Sequence, residues 1–337
     1  MVAPLELLTV GRISIDLYCG QLGAGWQGAE SFQKAVGGSP TNVAIAAARL
    51  GRRAAVYTKV GTDPFGDVVV QELRDFGVDV SYVGVEPDAM TPLAFAVLDP
   101  PEDPQLHFRR HPPAPDLQLR PGEVGADTAR DVPILWISGG ALSENPSRVT
   151  VTELLKDRGR RAHTILDLDY RTSFWSSRQE ASAVIGKAVE AATIAVGNRE
   201  ECDVAVGSDE PREAARRLLE RGVEWAIVKL GGDGVLLVSA KREHLIGPAP
   251  VEVLCGLGAG DAFGGALCHG LLSGWAPERA VAFANAAGGI VAARLLCSQA
   301  MPYEAEVLAL LDPPEQPEPL PSRTASRPPR APGSSGC

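Results

Sequence analysis

No apolar run in this sequence approaches the roughly 20 residues needed to cross a bilayer. The opening Met1-Val2-Ala3-Pro4 carries neither a basic stretch nor a long apolar one, so a cytoplasmic protein is expected. Cysteine is sparse. Cys19, Cys202, Cys255, Cys268, Cys297 and Cys337 stand singly, without the paired spacing of a zinc site or the density of a disulfide-stapled scaffold, and reduced, buried thiols are expected. Positive charge is in deficit: 32 Lys and Arg against 42 Asp and Glu leave a net charge of −10. Recruitment of nucleic acid or an anionic membrane by the overall field is thereby excluded, and any anionic ligand must be held by local donors. There is no internal repeat. What remains is 337 residues, 45% hydrophobic and 22% charged, the composition of a globular chain forming one large domain or two small ones.

Short apolar or β-branched runs at 5–11, 54–60, 134–138, 163–169, 194–197 and 225–230 alternate with helix-period runs at 41–50, 65–76, 147–157, 210–220, 261–273 and 277–296. This alternation predicts βαβ units, an α/β fold with a mainly parallel sheet and helices on both faces. Two stretches break it, at 14–36 and at 93–118, where polar and apolar residues mix without a helical stripe. They read as extra strands that pair into a small sheet, a lid over the carboxyl ends of the main strands, where open α/β sheets bind ligands. Eight prolines between Pro313 and Pro332, mixed with Glu, Arg and Ser, predict a disordered tail over 313–337 after a folded unit of 1–312.

The most informative segment is Gly256-Leu257-Gly258-Ala259-Gly260-Asp261-Ala262-Phe263, small residues followed by an amphipathic run. Read physically, it is a loop entering a helix. Small side chains let backbone N–H groups approach a phosphoryl group, and the helix N-terminus adds partial positive charge there. Asp261, ionised beside those donors, can take a proton from a hydroxyl attacking the γ-phosphate. The same residues also suit a glycine loop with an Asp helix cap.

Gly258-Ala259-Gly260-Asp261 late in the chain joins Gly37-Gly38-Ser39-Pro40-Thr41-Asn42 near its start. Together they resemble the ribokinase-like (PfkB) sugar kinases, and the resemblance runs from about Leu5 to Tyr303. Gly11-Arg12 with Asp16, Leu168-Asp169-Tyr170-Arg171 and Ala300-Met301-Pro302 are similar to the branch that acts on 5-dehydro-2-deoxygluconate in inositol catabolism. The resemblance implies a Rossmann-like ribokinase fold with a small β lid, and ATP with Mg²⁺. It further implies Asp261 as general base and Gly258, Ala259 and Gly260 as the anion hole. Relatives often dimerise through the lid, so a homodimer is possible. One departure stands out: many relatives have an Asp-Thr pair where this chain has Cys255-Gly256, so no monovalent-cation site is assigned.

By the same resemblance Asp16, Gly38 and Asn42 bind sugar. Asp16 also reads as an exposed turn residue, and Ser39, Thr41 and Asn42 as a helix cap and turn. Gly37 with Gly38 allows close backbone approach, and Asn42 can both donate and accept toward vicinal hydroxyls. A sugar acid adds a carboxylate, which an acidic protein must meet with specific cations. Lys34, Arg109 and Arg110 are candidates, as is Arg171, which could instead steady the transferring phosphoryl group.

Asn198-Arg199-Glu200-Glu201 matches the family's Asn-x-x-Glu motif, so Asn198 and Glu201 are candidates to organise Mg²⁺, which prefers oxygen ligands and keeps several waters. The segment is equally a capped helix start. Lys229, Gly231 and Gly234, in a strand that ends in a glycine turn, are expected at the nucleotide, as is Asn285; a plain hairpin turn is the alternative. His107 and His111 have helical spacing, but Pro112-Pro113 follows, and the helix a zinc pair would need is missing. The mechanism expected is transfer of the γ-phosphoryl of ATP to the terminal hydroxyl of an open-chain keto sugar acid. A 2-dehydro-3-deoxygluconokinase, a fructokinase or a catalytically silent sugar-binding module remain as alternatives.

Overall fold

The computed structural model describes residues 4–100, 104–110 and 112–312; the proline-rich tail, Cys337 and His111 lie outside the described residues. The strands are β1 (Leu7–Val10), β2 (Ser14–Cys19), β3 (Phe32–Gly37), β4 (Ala54–Gly61), β5 (Val83–Glu86), β6 (Leu93–Val97), β7 (Gln105–Arg109), β8 (Ile134–Ser138), β9 (Thr164–Asp167), β10 (Ile194–Asn198), β11 (Trp225–Lys229), β12 (Val235–Ser239) and β13 (Glu243–Ile246). The helices are α1 (Ser39–Arg49), α2 (Pro64–Asp75), α3 (Ala126–Asp131), α4 (Ser147–Arg158), α5 (Arg178–Val189), α6 (Arg199–Val206), α7 (Pro211–Glu220), α8 (Ala259–Leu272), α9 (Pro277–Ala292), α10 (Cys297–Ala300) and α11 (Glu304–Leu311).

A nine-stranded sheet has the order β13-β12-β11-β10-β9-β8-β1-β4-β5. Its pairs from β11 to β5 are parallel, and the β11–β12 and β12–β13 pairs are antiparallel. Because helices cover both faces, successive strand residues enter different cores. Ile134 and Trp136 pack with α1, α8 and α9, whereas Leu135 and Ile137 pack with α4, α5 and α7. Continuous apolar strands follow from that two-sided burial.

The expected extra strands pair as foreseen into a second sheet of order β3-β2-β6-β7. Within 93–118, strand structure stops at Arg109, and a helical turn at Pro115–Leu117 follows. There the fully buried Asp116 accepts from Arg110 at 2.9 and 2.6 Å and from the Ile13 amide at 3.1 Å. The run expected as one helix over 277–296 ends at Ala292. Leu296 takes φ +68° and starts α10 in a new direction, which carries Cys297 beneath the loop that opens α8. The glycine turn after β11 is also a hairpin: Gly231–Asp233 joins β11 to the antiparallel β12.

Candidate active site

β1 lies inside the large sheet. The chain first builds outward to β4 and β5, then crosses to β8 and continues in the other direction, so the carboxyl ends of β1 and β8 border a crevice at the point where strand order reverses. The small sheet lies over that crevice. Between them is a cavity of about 1090 Å³, large enough for two small ligands side by side.

Pleating decides which residues of the small sheet face it. Asp16 pairs with Ala35 and Ala94, and Tyr18 with Ala96, on one face, while Leu17 pairs with Lys34 and Phe95 on the other. Ser14, Asp16, Tyr18, Ala94, Ala96, Leu106 and Phe108 line the cavity. Lys34 and Arg109 fall on the opposite parity, and the expectation that they bind substrate is corrected here. Lys34 instead pairs with Glu72 of α2, and Arg109 sits opposite Leu93 at the exposed end of β7. Arg110 is taken up by Asp116. His107 also faces outward, its ring edge-on to Trp26 with centroids 6.0 Å apart.

The other expected residues, apart from Gly37, converge on the cavity. Gly258 caps α8 at φ +81°, and a Cβ there would lie 2.6 Å from Cys297 Sγ. The N–H groups of Ala259, Gly260 and Asp261 find no acceptor among the described residues, leaving three donors at the positive end of a helix. Asp261 follows them, with its Oδ2 accepting from Asn42 Nδ2 at 2.9 Å. Burial pushes the Asp261 carboxyl above its ordinary range, and the Asn42 and Ser39 hydrogen bonds pull it back. It is therefore less freely ionised than its place at a helix terminus suggests.

Asp16 accepts from Ser14 Oγ at 2.7 Å and is pushed up to about 6, chiefly by burial. Gly37 stands outside the cavity and serves Asp16, because a Cβ on it would lie about 2 Å from that carboxylate. Gly38, at φ +96°, packs onto the Arg12 carbonyl, where a Cβ would approach to 2.4 Å.

At the end of β9, Asp169 is gripped by Arg12 Nη2 at 2.9 and 2.6 Å and by Ser138 Oγ at 2.5 Å, and lies 3.8 Å from Arg171 Nε. Those partners outweigh burial and hold its carboxyl well below the usual range. Two residues earlier, Asp167 is pushed the other way, to about 7, by burial; its Oδ1 has no hydrogen-bond partner and lies 3.9 Å from Lys229 Nζ. Lys229 is also 3.8 Å from Glu201, and its ammonium lies 3.2 Å from where a Gly260 Cβ would be. That places a cation against the free amides of α8. Sequence reasoning missed Arg12, Tyr18, Asp167 and Cys297 as cavity residues. Asp167 and Arg12 carried a usable signal, each being polar at the carboxyl end of a strand. Tyr18 and Cys297, 2.6 Å apart through Oη and Sγ, meet only in three dimensions.

Asn198 and Glu201 form a reciprocal capping box on α6, with bonds of 2.9 and 2.7 Å. The capped-helix reading therefore holds, while both residues still line the cavity. One Glu201 oxygen is used by the cap and the other has no hydrogen bond among the described residues, which suits a magnesium ion held mostly by water and phosphate. Among the described residues no group of three or more His, Cys, Asp or Glu could cage a metal. Cys255 is buried with its thiol pushed up by burial, so it offers neither a carboxylate nor a thiolate to a monovalent cation. Gly231, Gly234 and Asn285 line the far end, and Asn285 donates to the Gly247 carbonyl at 2.7 Å. All five described cysteines are free and buried, and no described helix is long and apolar enough to cross a membrane.

Among solved structures, one described as a ribokinase II from E. coli in complex with ATP and Mg²⁺ superposes with a TM-score of 0.82, covering 91% of this chain and 99% of its own at 23% identity. A fructokinase with bound ATP from Xylella fastidiosa gives 0.80 over 91% and 98% at 23% identity. These show the fold. Among curated proteins, the 5-dehydro-2-deoxygluconokinase of Geobacillus kaustophilus is 33% identical over 312 residues, 90% of this chain and 92% of its own length. The sequence pattern of the pfkB family carbohydrate kinases spans residues 5–303. Since that span takes in both sheets and every residue that lines the cavity, the chain belongs to the pfkB family of carbohydrate kinases, which transfer a phosphoryl group to a sugar hydroxyl.

Proposed function

We propose that this kinase uses ATP and Mg²⁺ to phosphorylate the terminal 6-hydroxyl of the keto sugar acid 5-dehydro-2-deoxygluconate. The observation that carries the reading is Asp261, oriented by Asn42 and directly following two free backbone amides at the head of α8. In this reading the γ-phosphoryl oxygens take the amides of Ala259, Gly260 and Asp261, and Lys229 meets the phosphate charge. The nucleotide lies along Gly231, Gly234 and Asn285. The sugar lies under the small sheet against Asp16, Gly38 and Asn42, with Arg171 toward its carboxylate. Asp261 accepts the proton of the 6-hydroxyl as that oxygen bonds to phosphorus and the bond from phosphorus to the bridging oxygen of ADP breaks. Magnesium, held through Glu201 beside Asn198, neutralises phosphate charge when bound.

The catalytic unit in this reading spans 1–312, with the small sheet, drawn from 14–36 and 93–118, as a lid that keeps water from the phosphoryl group. Relatives named for this substrate support the choice of acid. The test is ADP release with 5-dehydro-2-deoxygluconate, 2-dehydro-3-deoxygluconate, fructose and ribose. The first should give the highest kcat/KM; turnover of neutral sugars alone overturns the acid substrate. Asp261→Asn should bind ATP normally and lose about 10²–10⁴-fold in kcat. Calorimetry that shows sugar binding to the unaltered protein with no turnover would make it a silent binding module.

A further inference from the structure

We propose that Arg12 is the residue that tells a sugar acid from a neutral sugar, forming with Arg171 a carboxylate receptor anchored on Asp169. The inference rests on the acid substrate proposed above.

Arg12 follows β1, lines the cavity and is only 6% exposed. A guanidinium withdrawn that far from water is normally matched by a carboxylate that engages two of its nitrogens. Here only Nη2 is used, on Asp169, and Nη1 has no hydrogen-bond partner among the described residues. Asp169 is itself shared, since Arg171 lies 3.8 Å away. Within 4 Å two guanidiniums therefore share one carboxylate, with Asp16 and Asp261 acting on Arg12 from farther off. Lys229 stands in the reverse position, with both Asp167 and Glu201 within 4 Å. Among the cations that line the cavity, those with the fewest carboxylates within 4 Å are Arg12 and Arg171.

The guanidinium is also held in place before any ligand arrives. Its carbon lies 5.0 Å from the centre of the Phe174 ring, which has the Arg110 guanidinium at 4.8 Å as well. A Cβ on Gly140 would come within 2.8 Å of Arg12 Nε, so that glycine makes the seat. The Arg12 backbone is pinned by Thr41 Oγ1, which donates to its carbonyl at 2.9 Å. A receptor with a fixed guanidinium whose Nη1 is unengaged, next to Arg171, suits an anion and offers a neutral sugar end no comparable partner. Arg12 is thus a specificity residue, and Gly140 positions it.

The experiment compares kcat/KM for 5-dehydro-2-deoxygluconate with that for its neutral amide, in the unaltered enzyme, Arg12→Met and Gly140→Ala, together with the KM for ATP. The unaltered enzyme should favour the acid. Arg12→Met should lose about 100-fold on the acid, the scale for truncating one partner of a buried charge pair, change little on the amide, and keep its KM for ATP. Gly140→Ala keeps every charge and should lose part of the same preference, so the test survives if Arg12→Met does not fold. An enzyme that favours the acid and keeps that preference in the folded variants overturns the role of Arg12 and leaves the substrate reading intact. An unaltered enzyme indifferent to acid or amide overturns both.

Discussion

Asp16 and Asp261 lie above their ordinary range because the protein around them is a poorer solvent for charge than water, and few donors offset the loss. For Asp16, pushed up to about 6, the sign of the stability effect follows directly. The folded chain binds this proton more tightly than the unfolded chain, so below about pH 4 the residue costs the fold nothing. Above pH 6 the fold carries a charge that the unfolded chain would carry at less cost. Asp16→Asn should therefore raise stability at pH 8 by about 1–3 kcal/mol, leave it unchanged at pH 4, and abolish sugar turnover. Thermal unfolding at the two pH values checks this, and an equal gain at both would show that burial of the charge is not the cause. Asp169 has the opposite sign, its stabilisation being present at neutral pH and lost only as pH falls through its depressed range. Asp261 and Asn42 were readable in the sequence because each stands beside a glycine-rich turn whose chemistry is local, whereas Asp16, inside β2, was reached only through the family resemblance. Lys34 and Arg109 were misplaced because whether a strand residue faces ligand or solvent depends on strand register. A one-residue change of parity moves the side chain to the other face.

Among the elements, α8 sets the chemistry, and the connection from α3 to β9 shows how far the frame is held by one polar side chain. Arg158, at the end of α4, is 1% exposed and forms no ion pair within 4 Å among the described residues. It donates to the carbonyls of Ala129, Arg130, Val132, Pro133 and Ala162, between 2.5 and 3.1 Å, and to Thr164 Oγ1 at 3.1 Å. It thereby closes the C-terminal end of α3 and the turn into β9. Burial lowers its pKa to about 10, still well charged at neutral pH. Arg158→Met would strip those carbonyls of a donor at once and should cost about 3 kcal/mol, read as a lower denaturant midpoint with an unchanged slope. The fraction that folds should keep normal kcat, since Arg158 does not line the cavity. The start of α8 was readable from its small residues. The break after Ala292 was not, because 277–296 carries an unbroken apolar period and the turn at Leu296 is imposed by packing under Gly258.

At the scale of the whole molecule the cavity belongs to neither sheet alone, and one tie between the small sheet and the body is Asp116. It receives Arg110 from the end of β7 and the Ile13 amide from the approach to β2. Asp116→Ala would leave a partly buried guanidinium and a buried amide unpaired, loosening the small sheet against the body. The expected result is leakage: ADP released per sugar phosphorylated should rise above unity, as water reaches the phosphoryl group. A ratio of one in a folded Asp116→Ala protein would show that the small sheet closes without this tie. The sequence by itself determined the alternation of strands and helices, the glycine turn that opens α8 with its carboxylate, and the two segments that form the small sheet. Each of these is written in residues within one turn or one period of one another. Only the tertiary structure decided that Arg12 shares Asp169 with Arg171, that Tyr18 reaches Cys297, and that Lys34 looks away. Those contacts join residues far apart in the chain, and neither strand order nor register is encoded in any single segment.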